Sequence, residues 1–205
     1  MVDLHWMRAP GGAPVFLFAH GAGAPMDSDF MLQMATLLHA QGISVARFEF
    51  PYMAARRAGG TKRPPDRAPV LLDSFRAAAA QAGGLENILI GGKSMGGRIA
   101  TLLAAETRCR GVICFGYPFH PPGKPDKLRT EHLVNLSVPT LICQGERDPF
   151  GRRDEVGSYT LSSTITLHWC VDGNHDLAPR KVSGLTQSEN LSAAAAAASV
   201  WAGKL

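Results

Sequence analysis

The chain has 205 residues, 45% of them hydrophobic and 19% charged, which are the proportions of a globular domain and not of a disordered or fibrous chain. Its net charge of +4, from 21 basic against 17 acidic residues, is too small to argue for nucleic acid as a partner. No apolar run approaches the about 20 residues that a membrane-spanning helix needs, and the stretch from Met1 to Trp6 lacks the basic and apolar regions of a signal peptide.

The first predicted element, Val2 to Met7, alternates weakly as an edge strand does and is turned by Pro10-Gly11-Gly12. Val15 to Ala19 is a continuous apolar run, the pattern of a parallel strand buried on both faces, and it ends in His20-Gly21-Ala22-Gly23-Ala24. Asp27 or Ser28 can cap a helix that places Met31, Met34 and Leu38 on one face, and Ile43 to Phe50 reads as the next strand. Pro51 to Pro69 is rich in Gly and Pro, reads as a loop, and carries Arg56, Arg57, Lys62, Arg63 and Arg67. A helix over Val70 to Ala82 stops at Gly83-Gly84.

Further strands are predicted at Ile88 to Ile90, Gly111 to Phe115, Pro139 to Gln144 and Ile165 to Val171. The helix between the first two of these covers Gly97 to Thr107, and the final helix opens on a Thr186-Gln187-Ser188-Glu189 capping box before an alanine tract. Few residues separate Phe115 from the next strand, too few for a large lid domain. Strand and helix alternate throughout, which predicts a single α/β domain over residues 1–205 with a mostly parallel sheet of about six or seven strands and helices on both faces. The four cysteines, Cys109, Cys114, Cys143 and Cys170, show no C-x-x-C spacing; they read as reduced residues of a cytoplasmic protein, and no metal site is expected.

The chemistry concentrates at Asn87 to Arg98, where an apolar strand runs into glycines, presents one serine, and passes into helix formers. Gly92-Lys93-Ser94-Met95-Gly96 is a G-x-S-x-G sequence, in which a serine sits on a strained strand-to-helix turn and the crowding excludes Cβ atoms at its glycines. The helix that follows aims its free N–H groups at the serine and can stabilise an oxyanion. A phosphate-binding G-x-x-x-x-G-K-[ST] loop is excluded, because it needs glycine where Asn87 stands and flexibility where Ile88-Leu89-Ile90 reads as strand.

Asp148, in Gly145-Glu146-Arg147-Asp148, and His175, in Asp172-Gly173-Asn174-His175, also follow predicted strand ends, the edge of a parallel sheet where ligands bind. A serine hydroxyl is a poor nucleophile until an oriented base takes its proton, so the order Ser94, Asp148, His175 suggests nucleophile, orienting acid and general base. Glu146 and Asp154 are rivals for the acid, whereas His120 and His132 lie upstream of Asp148 and break the order.

On these motifs the chain resembles the small, lidless α/β-hydrolases of the dienelactone-hydrolase-like family. The resemblance runs nearly the whole length: His20-Gly21 after an early strand, the G-x-S-x-G elbow, G-x-x-D after the penultimate strand, and G-x-H after the last. It implies an α/β-hydrolase fold, no cofactor, and an oxyanion hole made by the backbone N–H of Met95 and one from the His20-Gly21 loop, Ala22 or else Gly23. His20, Gly21, Lys93, Tyr117 and Phe119 are expected around a substrate rim, with His20 bracing the oxyanion loop. Dienelactone hydrolases themselves carry cysteine at the elbow, so Ser94 does not imply their substrate. The expected activity is cleavage of an ester or thioester of a small acyl group through an acyl-enzyme. The alternative is a non-catalytic binding or scaffold protein that uses the basic 56–67 segment, because related hydrolase-like chains include subunits of regulatory complexes.

Overall fold

The structure, a computed structural model, describes residues 2–205. Met1, the first residue of the predicted domain, lies outside the described residues. The elements follow as β1 (His5–Met7), β2 (Val15–Ala19), α1 (Asp29–Ala40), β3 (Ser44–Phe48), α2 (Pro51–Arg57), α3 (Ala68–Ala82), β4 (Leu89–Lys93), α4 (Met95–Glu106), β5 (Gly111–Phe115), β6 (Thr140–Gly145), α5 (Arg153–Val156), β7 (Ile165–Cys170) and α6 (Gln187–Ala202). Two short 3-10 turns, Glu131–Leu133 and Lys181–Ser183, complete them.

The seven strands form one sheet in the order β1-β3-β2-β4-β5-β6-β7, with only β1 antiparallel. Side chains of each strand alternate between two cores, as the two-residue period requires. Leu17, Ile90, Val112 and Ile142 face a core built with Leu71, Phe75, Ile99 and Leu103 of α3 and α4. Phe16, Phe18, Ile113 and Leu141 face the opposite one, built with Met31, Met34 and Leu38 of α1 and Ala194, Ala195 and Ala198 of α6. The alanine tract thus lets α6 lie close to the sheet, and its Thr186–Glu189 capping box forms as the sequence predicts. No helical lid interrupts the chain between β5 and β6; that segment holds only the Glu131–Leu133 turn.

Two local expectations need correction. Pro51 to Pro69 is not all loop: Pro51 at the first helical position starts α2, whose Tyr52 and Met53 are buried. Proline is pre-organised for that position, and the apolar pair below it supplies the driving force that composition concealed. Second, Ser28 occupies the N-cap position of α1 but its side chain makes no capping bond, and Asp27 is drawn instead to Arg57, 2.8 Å away.

Candidate active site

Ser94 lies between β4 and α4 with φ of 51° and ψ of −113°, a conformation costly for any residue with a Cβ. The close approach that compels it is visible at Gly96, where a Cβ would stand 2.6 Å from the Ala19 carbonyl oxygen and 2.7 Å from that of His20. Glycine there lets the elbow seat on the end of β2 and brings the His20–Ala24 loop beside Ser94.

Asp148 and His175 arrive on the loops that leave β6 and β7, and the three predicted side chains join in one chain of hydrogen bonds. His175 Nδ1 lies 2.8 Å from Asp148 Oδ2, and His175 Nε2 lies 2.9 Å from Ser94 Oγ. A carboxylate only accepts, so Nδ1 carries the proton and Nε2 is free to accept from the serine hydroxyl. Asp148 is fully buried; the Phe150 N–H donates to its other oxygen at 2.9 Å, and Gln144 Nε2 donates to Oδ2 at 3.0 Å. The rivals are engaged elsewhere: Glu146 accepts from the Asp172 N–H and pairs with Arg153, and Asp154 belongs to α5.

The loop carrying His175 is pinned from several sides. Asn190 of α6 donates to the carbonyls of Val171 and Leu177 at 3.0 and 2.8 Å, and the Arg147 N–H donates to that of Gly173 at 2.9 Å. The ring of Phe150 packs on the His175 imidazole with centroids 4.2 Å apart. Lys93 lines the pocket at Ser94 as expected, but its ammonium does not point into solvent: the residue is 6% exposed, the ammonium donates to the His175 carbonyl, and it pairs with Asp176 at 3.3 Å.

His20 is buried and stands behind the oxyanion loop, not at its rim. Its Nε2 accepts from the Phe50 N–H at 3.1 Å while Nδ1 donates to the Gly21 carbonyl at 2.7 Å. Burial holds its pKa below the ordinary value, consistent with a neutral brace. The Tyr52 hydroxyl adds a bond to the Ala22 carbonyl at 2.9 Å. Neither the Ala22 N–H nor the Met95 N–H is taken up by a hydrogen bond among the described residues.

Beside Ser94 opens a pocket of about 280 Å³ walled by Gly21 to Ala24, Phe30, Met31, Lys93 and Phe150. Tyr117 and Phe119 are absent from it. Both are fully buried in the core, where their rings meet at 4.8 Å, so their assignment to the rim is corrected. The turn after β5 folds inward because Gln144 clamps it, accepting from the Tyr117 N–H at 2.7 Å and donating to the Tyr117 carbonyl at 3.2 Å.

Gln144, Phe150, Phe30 and Tyr52 were missed by sequence reasoning. Only Gln144 carried a signal, as a polar residue ending an apolar strand four residues before Asp148. Of the basic segment, Arg57 pairs with Glu49 and Asp27 while staying exposed, and Arg63 reaches Asp66 at 3.5 Å; Arg56 and Lys62 are exposed as well. All four cysteines are free. Among the described residues no group of three or more His, Cys, Asp or Glu side chains is placed to hold a metal ion, and no helix is long and apolar enough to cross a membrane.

Comparison with known proteins agrees with this architecture. Solved structures similar to the chain include a dienelactone hydrolase from Anabaena variabilis, at 21% identity and a TM-score of 0.70, over 98% of this chain and 90% of that one. A lidless α/β serine hydrolase from Xanthomonas campestris aligns at 22% identity and a TM-score of 0.65, over 94% and 87%. An α/β serine hydrolase homologue from Coxiella burnetii aligns at 18% identity and a TM-score of 0.68, over 94% and 90%. At these identities the likeness is one of fold. The family described as alpha/beta hydrolase domain matches residues 12–203, nearly the full length, and the chain therefore belongs to the alpha/beta hydrolase family.

Proposed function

We propose that the chain is a single-domain serine hydrolase that cleaves an ester or thioester of a small acyl group through an acyl-enzyme. The observation that carries this reading is the hydrogen-bonded chain Ser94–His175–Asp148, at 2.9 and 2.8 Å, on the floor of an open pocket.

Ser94 Oγ attacks the acyl carbonyl while His175 Nε2 takes its proton. Asp148 holds the imidazole tautomer and stabilises the imidazolium. The carbonyl oxygen becomes an oxyanion that the N–H groups of Met95 and Ala22 are free to meet. Loss of one such donor costs about 2.7–4 kcal/mol of barrier in comparable sites. His175 then protonates the leaving alkoxide or thiolate, and a water activated by the same ring hydrolyses the acyl-Ser94 ester. Phe30, Met31 and Phe150 give the pocket apolar walls, and its volume of about 280 Å³ favours a compact acyl group over a long chain. The scaffold reading has less support, since Arg57 is already paired with Glu49 and Asp27 within the chain.

Labelling with a fluorophosphonate probe, wild type beside Ser94→Ala, tests the proposal, with the modified peptide located by mass spectrometry. Labelling at Ser94 that the variant loses is the expected result. A folded wild-type protein that stays unlabelled would remove the basis for the reading.

A further inference from the structure

Away from Ser94, a second concavity opens beside α4. It has a volume of about 410 Å³ and is walled by Arg98 and Leu102 of α4, Leu128 and Arg129, and Glu131 and His132 of the 3-10 turn. Two half-buried arginines thus share one pocket. Neither makes an ion pair among the described residues. The Nε of Arg98 is buried without a hydrogen-bond partner, a costly state for a donor of a charged group.

The surroundings record the uncompensated charge. Burial, and then the Arg98 guanidinium, pull Arg129 below its ordinary value. The same two causes hold His132 down at about 4, so the ring beside the arginines is neutral. Thr101 Oγ1 ties this corner together, 2.8 Å from the Arg98 carbonyl and 2.9 Å from His132 Nε2. The single opposing carboxylate on the wall is Glu131.

We propose that this pocket binds a small oxyanion, a phosphate or carboxylate group held between Arg98 and Arg129. Planar guanidiniums match such oxygens and accept desolvation better than ammonium groups do. Leu102 and Leu128 flank them and would cover an apolar body attached to the anion. The pocket shares no lining residue with the one at Ser94. The two are nonetheless mechanically joined, because the Arg98 N–H donates to the Ser94 carbonyl at 3.0 Å in the first turn of α4.

Isothermal titration of the full chain with inorganic pyrophosphate, and separately with succinate, tests the site. Saturable binding of at least one probe is expected, and which one binds separates phosphate from carboxylate ligands. Affinity should fall about tenfold in Arg129→Gln and in Arg98→Gln, each losing a charge-assisted contact. It should rise in Glu131→Gln and stay unchanged in Arg8→Gln, which removes the same charge from an exposed site after β1. Arg129 lies in irregular chain outside α4, so its variant keeps the test decisive if Arg98→Gln fails to fold. Absence of saturable binding by both probes overturns the proposal. So does an affinity that Arg129→Gln leaves unchanged, or a loss that Arg8→Gln reproduces.

Discussion

The ammonium of Lys93, one residue before Ser94, donates to the backbone carbonyl of His175 at 2.7 Å. The residue that precedes the proposed nucleophile therefore holds the proposed base by its main chain. Burial pulls the Lys93 pKa down while Asp176 and Asp148 oppose that fall, and Phe30 presents its ring 5.1 Å from the ammonium. A buried ammonium is retained at a cost; here it joins the elbow to the loop after β7.

Lys93→Met should leave the fold intact and release His175. A charge-assisted hydrogen bond of this kind is worth roughly 1.5–3 kcal/mol, so kcat on a chromogenic short-chain ester should fall about tenfold to a hundredfold with little change in KM. An unchanged kcat would show that the other ties of the loop suffice.

Tyr52→Phe removes one hydroxyl, the donor to the Ala22 carbonyl at 2.9 Å. Burial pushes that phenol well above its ordinary pKa, so it remains a donor at all working pH values. We expect a loss of about 1 kcal/mol in stability by urea unfolding, and a fall in kcat from a loosened oxyanion loop. A variant equal to wild type in both would remove Tyr52 from that loop's support.

Gly96→Ala and Gly23→Ala form a contrasting pair. At position 96 the new Cβ meets two backbone carbonyl oxygens at 2.6 and 2.7 Å, and backbone cannot step aside. Overpacking of this kind costs about 1–3 kcal/mol or more, and it should also displace Ser94 and abolish probe labelling. At position 23 nothing lies within 4 Å, so stability should change by no more than about 0.5 kcal/mol. Thermal unfolding of both variants measures the difference.

His132 gives a pH dependence with a definite sign. Its folded-state pKa, about 4, lies below the ordinary 6.5, so the unfolded chain binds the extra proton first as pH falls. Stability therefore drops as pH decreases from 6.5 toward about 4. His132→Gln should lose that component, and the wild type should weaken relative to the variant across this window in urea titrations. Parallel curves would mean that the ring takes up its proton as readily in the folded chain as in the unfolded one.

Strand positions were legible from apolar runs bounded by glycine, as at Val15–Ala19 and Gly111–Phe115, because a strand buried on both faces has no polar alternation to hide it. The G-x-S-x-G spacing and the order Ser94, Asp148, His175 were legible too, since strained turns and strand ends restrict residue type locally. Helix α2 was not: its glycine- and proline-rich continuation masked two buried residues whose partners lie elsewhere in the chain.

Local residue patterns alone fixed the alternation of strands and helices, the turn that presents Ser94, and the short set of acids and the histidine that could meet it. The packed sheet was needed to reveal that Gln144 folds Tyr117 and Phe119 into the core, that His20 braces from behind, and that Lys93 turns inward to His175. Those outcomes depend on groups 27, 30 and 82 residues apart in the chain meeting at hydrogen-bond distance. Local propensity carries no information about such meetings; buried polar groups must find partners wherever the packed sheet brings them.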